Sequence, residues 1–119
     1  MGSGPTDAEP AVILVKAYDH VLWSVQKAEK FPRSFRFSVG ERIVQASIDL
    51  LLTLVDAAYS RDRAALLAQA NRQVNALRYL FRLARDLHLV SKDAWEFSAE
   101  KIDEIGRMTG GWRKAGRKA

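Results

Sequence analysis

Residues 63–88 read RAALLAQANRQVNALRYLFRLARDLH. Leu67, Ala70, Val74, Leu77, Phe81, Ala84 and His88 follow one another at steps of three and four, which places them on one side of an α-helix. Leu66, Leu80, Leu83 and Leu87 widen that side. One residue further on, Asn71, Asn75, Arg78, Arg82 and Arg85 make a second row, polar and basic. A single helix therefore carries a packing face and, beside it, a cationic edge. The packing face needs apolar partners, and the rest of the chain offers three more helices to supply them.

The first of these runs from about residue 11 to 29, with Leu14, Tyr18, Val21, Leu22, Val25 and Ala28 as its stripe and Trp23 off it. The second runs from about 39 to 59. Its main stripe is Val39, Ile43, Ala46, Leu50, Leu54 and Ala57, and a second one contains Ile48, Leu51, Leu52 and Val55. Apolar residues on two sides predict burial on two sides. In a bundle made by one chain one of those sides faces water, so the surplus argues for a subunit interface. Ser38 and Glu41 have the spacing of a capping box, and Ser60 and Ser91 are candidate caps for the third and fourth helices. Asp93 suits the first turn of the fourth helix, where the dipole favours negative charge. That helix extends to about residue 112 on Trp95, Ser98, Ile102, Ile105, Thr109 and Trp112. Gly106 inside it costs about 1 kcal/mol relative to Ala, which implies close approach of another backbone.

Between the first two helices, residues 31–37 read FPRSFRF. Pro32 moves Phe31 out of helical conformation. The segment suits a hydrophobic plug at one end of the bundle, with nucleobase stacking on its aromatics as the alternative. The expected fold is all-α: an antiparallel, up-down four-helix bundle over residues 11–112. A disordered leader (1–10) precedes it and a flexible basic tail (113–119) follows. No segment of useful length has strand periodicity.

The 119 residues are 48% hydrophobic and 28% charged, contain no cysteine and carry a net charge of +5. This is the composition of a globular chain without disulfides or thiolate metal sites, compatible with a reducing cytoplasm. No apolar run is long enough to cross a membrane. The charge is uneven: residues 61–88 carry +4, residues 89–106 carry −3 and residues 107–119 carry +5. Such a distribution attracts polyanions such as nucleic acid; solubility and pairing with the acidic fourth segment are the plainer explanation. His20 and His88 are the only histidines, and the neighbouring Asp19 and Asp86 are too close in sequence to face them across a helix. Asp93, Glu96, Glu100 and Asp103 share one helical face beside Glu104, a solvated acidic face by default and a Mg²⁺ site by analogy with nucleases. No phosphate loop, dinucleotide fingerprint or nucleophile elbow occurs. The reading is of a protein without catalysis, cofactor or metal.

Three segments are more specific: Phe31-Pro32-Arg33; residues 77–83, LRYLFRL; and residues 103–112, DEIGRMTGGW. Together they resemble the accessory variability determinant proteins of diversity-generating retroelements. Those belong to a wider set of four-helix bundle proteins that includes the proteins encoded by intervening sequences in 23S ribosomal RNA genes. The similarity extends from about Tyr18 to Trp112, and Gly-Arg-x-x-Gly-x-Trp is its most specific part. The resemblance implies a barrel-shaped homopentamer with a basic surface. It also implies binding to the retroelement's reverse transcriptase and its template-repeat RNA in support of mutagenic cDNA synthesis, with no catalysis of its own. On that basis Arg63, Arg72, Arg78, Arg82, Arg85, Arg113, Lys114, Arg117 and Lys118 are the candidate contacts to nucleic acid or partner, with Arg78 leaning to a structural role. Phe31, Arg33, Phe35 and Arg36 are weaker candidates for the polymerase contact. Gly106 and Trp112 are structural or interface candidates. A protein scaffold of the intervening-sequence type, without a direct nucleic-acid role, is the alternative.

Overall fold

The computed structural model describes the backbone of residues 5–118 and the side chains of residues 11–116. Four long helices, α1 (Pro5–Glu29), α3 (Glu41–Ala58), α4 (Ala64–Asp86) and α5 (Lys92–Lys118), are joined by short connections. A single turn, α2 (Arg33–Phe35), and a π-turn, Arg36–Gly40, lead into α3. Each long helix packs on the next, and α5 closes the ring against α1. Lys16 meets Glu104 while Trp23 meets Phe97, so α1 and α5 run antiparallel. Arg63 meets Trp112 while Arg85 meets Trp95, so α4 and α5 do too. This is the expected four-helix bundle, and among the described residues there is no strand.

The core forms where spacing predicts it on three of the helices. Leu67, Ala70, Val74, Leu77, Phe81 and Ala84 of α4 are all buried, as are Ile43, Leu50, Leu54 and Ala57 of α3. On α5 the stripe of Ser98, Ile102, Ile105, Thr109 and Trp112 is buried. The buried hydroxyls of Ser47 and Thr109 donate to the carbonyls of Val44 and Ile105, both at 2.8 Å, which satisfies them without a distant partner.

Helix α1 departs from expectation. It buries Ile13, Ala17, His20, Ser24 and Ala28 and leaves Val15, Tyr18 and Leu22 exposed. Tyr18 and Leu22 thus point outward while Leu14 packs partly against the core, because α1 is apolar around most of its circumference and the buried set, rich in small residues, gives closer helix packing. The outward face of the neighbouring α3 carries Leu52, also exposed, and Tyr59 is exposed just past its end. Of the second stripe expected on the second helix, Leu52 alone is exposed; Ile48, Leu51 and Val55 are half-buried, and Leu51 packs against the core.

Several boundaries also differ from expectation. Pro32 starts the second helical segment, its extended ψ of 146° giving way to helix at Arg33. The chain is therefore already helical at Ser38, and no capping box forms: the Ser38 hydroxyl donates instead to the Phe35 carbonyl. One extra residue is absorbed in the π-turn, which brings Gly40 so close to the core that an added Cβ would lie 3.3 Å from Phe31. Ser60 caps nothing; its hydroxyl donates to the Asp62 carbonyl, and α4 begins after Arg63. Ser91 does cap α5, accepting from the Ala94 amide at 3.1 Å. His88 is not on the core stripe. It lies past the end of α4 with φ 60°, where the Leu89 amide reaches back to the Ala84 carbonyl at 2.8 Å and ends the helix.

Helix α1 begins at Pro5, inside the expected leader, and proline is tolerated in a first turn because the amide there has no intrahelical acceptor. The rest of the leader, residues 1–4, lies outside the described residues. At the other end α5 continues past Trp112 to Lys118, so most of the expected tail is helical. Thr109 and Trp112 are buried on either side of Gly110-Gly111 and hold the helix through them. A Cβ added at Gly110 or Gly111 would meet nothing within 4 Å. Gly110→Ala and Gly111→Ala should each raise stability by about 1 kcal/mol in a urea melt. The same change at Gly106 should gain little, since its Cβ would meet Arg78 Nη2 at 3.1 Å and Val74 Cγ1 at 3.3 Å. Side chains of α4, not another backbone, are what Gly106 admits.

Candidate nucleic-acid interface

The cationic edge of α4 divides once its partners are in place. Arg78 is committed to structure. Its Nε and Nη2 both reach Asp103 Oδ1 at 3.1 Å, and its Nη1 donates to Asn75 Oδ1 at 2.6 Å. The small profile of Gly106 gives the guanidinium room. This pair ties α4 to α5, and because both side chains are substantially exposed it contributes at most about 1 kcal/mol. Arg85 lies over the Trp95 ring at 4.4 Å and bonds the adjacent Asp86 at 3.0 Å. Arg63 stacks over Trp112 at 5.3 Å and donates to the Ser60 carbonyl at 3.0 Å.

Arg72 and Arg82 differ from these three. Both are exposed, and neither makes an ion pair among the described residues. With Asn75 and Tyr79 they follow an i, i+3, i+7, i+10 spacing along α4, an outward row that presents two cations around an exposed aromatic ring. Tyr79 is 69% exposed. Sequence reasoning does not single it out, although the spacing of 72, 75, 79 and 82 carries the signal. Beside this row the seam between α4 and α5 opens into a groove of about 250 Å³, bordered by Tyr79, Arg82 and Trp95, with the Arg78–Asp103 pair at its edge.

A second cationic group gathers at the far end of the bundle. The connection before α4 contributes Arg61 and Arg63, and the last turns of α5 contribute Arg113 and Lys114; Arg63 on Trp112 ties the two together. The Arg117 and Lys118 side chains lie outside the described residues. At about 1.5 Å per helical residue, Arg82 is about 28 Å from Arg63. The candidate cations thus form two stations, the α4 row and the bundle end, with Arg72 between them at about 14 Å from Arg63.

The opposite end holds the aromatic segment. Phe31 is buried beneath Gly40 as a plug, Phe35 is half-buried, and Arg33 and Arg36 are exposed. Phe31 is therefore a core residue, while Phe37, 71% exposed, is the aromatic ring that the segment presents at the surface. Trp112 is likewise buried within the chain. Acidic residues of α5 are partly occupied: Asp103 by Arg78, Glu104 by Lys16 at 3.2 Å, and Glu96 near Lys92 at 3.9 Å. Among the described residues no three acidic or histidine side chains converge as metal ligands do, and no helix is long and apolar enough to cross a membrane.

His20 is a titrating group that the core encloses. It is buried between Trp23 and Phe81, at ring-centroid distances of 5.9 and 5.6 Å, with Ser98 Oγ 3.2 Å from Nε2 and Ser24 Oγ 3.4 Å from Nδ1. Desolvation holds its pKa down at about 4. The ring is closed in by its neighbours, so this is a core histidine that links α1 to α5 and not a catalytic base.

The comparison with curated proteins finds no match. A family model described as bAvd-like matches residues 11–116, which takes in all but the ends of α1 and α5 and includes both cationic stations, and the chain belongs to that family.

Proposed function

We propose that this chain is the noncatalytic accessory subunit of a diversity-generating retroelement. It binds the element's reverse transcriptase and template-repeat RNA in the cytoplasm and supports mutagenic cDNA synthesis. The observation that carries this reading is the pair of cationic stations, Arg72 with Arg82 on α4 and Arg61 with Arg113 and Lys114 at the bundle end. Their side chains have no acidic partner among the described residues. Cations left unpaired in this way neutralise phosphates and release counterions, giving strong, salt-dependent binding with little sequence preference. The test is to copurify the chain with the retroelement's reverse transcriptase and template-repeat RNA. Retention of both supports the reading, and retention of neither overturns it.

The assembly we propose is a homopentamer, a barrel that multiplies each station fivefold. It is supported by the apolar rows that a single chain leaves in water: Tyr18, 55% exposed, and Leu22 on α1, with Leu52, 53% exposed, on α3 and Tyr59 just past its end. Exposed apolar surface of this extent on adjacent helices marks a contact site. Leu52→Asp places a charge in that surface without touching the core. It should reduce the mass read by light scattering from five chains to one, with helix content unchanged. An unaltered mass would remove α3 from the interface.

A further inference from the structure

We propose that the groove between α4 and α5 receives a single unpaired nucleobase of the bound RNA, an inference that rests on the nucleic-acid role proposed above. The chemistry of its walls decides the occupant. Phe81, Ala99 and Ile102 make an apolar floor, and Tyr79 and Trp95 border it as aromatic rings. Arg85, 4.4 Å over the Trp95 ring, holds the indole in place. Arg82 stands on the rim without an acidic partner among the described residues, where it meets a phosphate. Both Arg78 contacts to Asp103 go to Oδ1, which leaves Oδ2 as an acceptor for an exocyclic base amine.

At about 250 Å³ the groove is smaller than the roughly 300–1,000 Å³ of sites for drug-sized ligands, a size that suits one planar ring system. An apolar floor, aromatic borders and a cation at the rim are the combination with which proteins hold single-stranded nucleic acid, one base per aromatic platform. A duplex keeps its bases stacked inside and cannot fill this space. The groove thus adds to the charge of the surrounding surface a preference for bases that are free to leave a stack.

The experiment compares a single-stranded cytidine decamer with an abasic ribose-phosphate decamer of equal charge, both at low salt, by fluorescence anisotropy. The expected result is a preference for the cytidine decamer of at least fivefold, within the roughly 5- to 150-fold that base stacking supplies. Ala99→Phe fills the groove and should abolish the preference while leaving abasic affinity and its salt dependence unchanged. Tyr79→Ala, at an exposed position that does not threaten folding, should reduce it severalfold. Equal binding of the two decamers by the unaltered protein overturns the groove inference alone. Binding of neither overturns the nucleic-acid reading beneath it. A change of assembly mass in Ala99→Phe assigns the groove to contact between copies of the chain and overturns the inference.

Discussion

Replacing Arg113, Lys114, Arg117 and Lys118 together by Ala should weaken binding to single-stranded RNA at least tenfold. It should also flatten the dependence of log affinity on log salt by up to about 3, since each phosphate that goes unneutralised takes about 0.7 off the slope for single strands. The expectation rests on the backbone: α5 is helical to Lys118. The backbone that carries these four residues is therefore helical throughout. The carbonyl end of the helix dipole favours cations there, so the charges are compatible with helix even without ligand. Because the backbone is already ordered, binding avoids much of the entropy that a flexible tail would lose.

The contrast that gives this prediction its meaning is Arg78→Ala. Arg78 stands on the same basic helix but is engaged by Asp103 and Asn75. Its loss should lower stability by about 1 kcal/mol or less and leave the salt slope nearly unchanged. Anisotropy titrations between about 50 and 300 mM salt separate the two outcomes. If the fourfold variant keeps both its affinity and its slope, the end of α5 is not part of the site and the α4 row has to carry the binding.

These two variants also show what is legible in the sequence. The cores of α4 and α5 follow from three-and-four spacing because each helix has one dominant apolar side. Helix α1 misleads because the expected stripe of Leu14, Tyr18, Val21, Leu22, Val25 and Ala28 shares only Ala28 with the buried set of Ile13, Ala17, His20, Ser24 and Ala28. Hydrophobicity names the greasier side, whereas close helix packing selects the side with smaller residues. The start of the second helical segment is hard to place because Ser38 and Glu41 have a capping spacing that only matters if the chain is not already helical, and Pro32 starts the helix well before them. The basic row is visible in the sequence, but its division into engaged and unengaged arginines is not. Asp103 is 25 residues from Arg78, and nothing local distinguishes it from Asp49, Asp56 or Glu104 as a partner. The pairing of Arg85 with Trp95 and the groove beside it depend in the same way on the register of α4 against α5.

Acidification should destabilise the bundle through His20 well before most carboxylates are protonated. In the folded chain its pKa lies at about 4, against an ordinary value of 6.5. The neutral ring is therefore the one the fold accepts. Above pH 6.5 both folded and unfolded chains hold the ring neutral, and the histidine contributes no pH dependence. Between about pH 6.5 and 4 the unfolded chain binds a proton that the folded chain refuses, so stability falls as pH falls. The linkage amounts to about 2 kcal/mol lost between about pH 7 and 5 and about 3 kcal/mol by pH 4, a large share of the roughly 5–15 kcal/mol that typically holds a domain together. The cause is desolvation: Trp23, Phe81 and the helix surfaces exclude water, and the only polar neighbours bonded to the ring among the described residues are the hydroxyls of Ser24 and Ser98. No carboxylate among the described residues bonds it to offset the cost of charge. His20→Gln keeps a side chain that can bond Ser98 but does not titrate, so its urea midpoint should stay level from about pH 7 to 5 while that of the unaltered protein drops. Protonation of carboxylates lowers both proteins alike at more acidic pH, so the difference between the two curves isolates His20. Parallel curves across this range would mean that water reaches the ring and that the α1–α5 seam opens in solution.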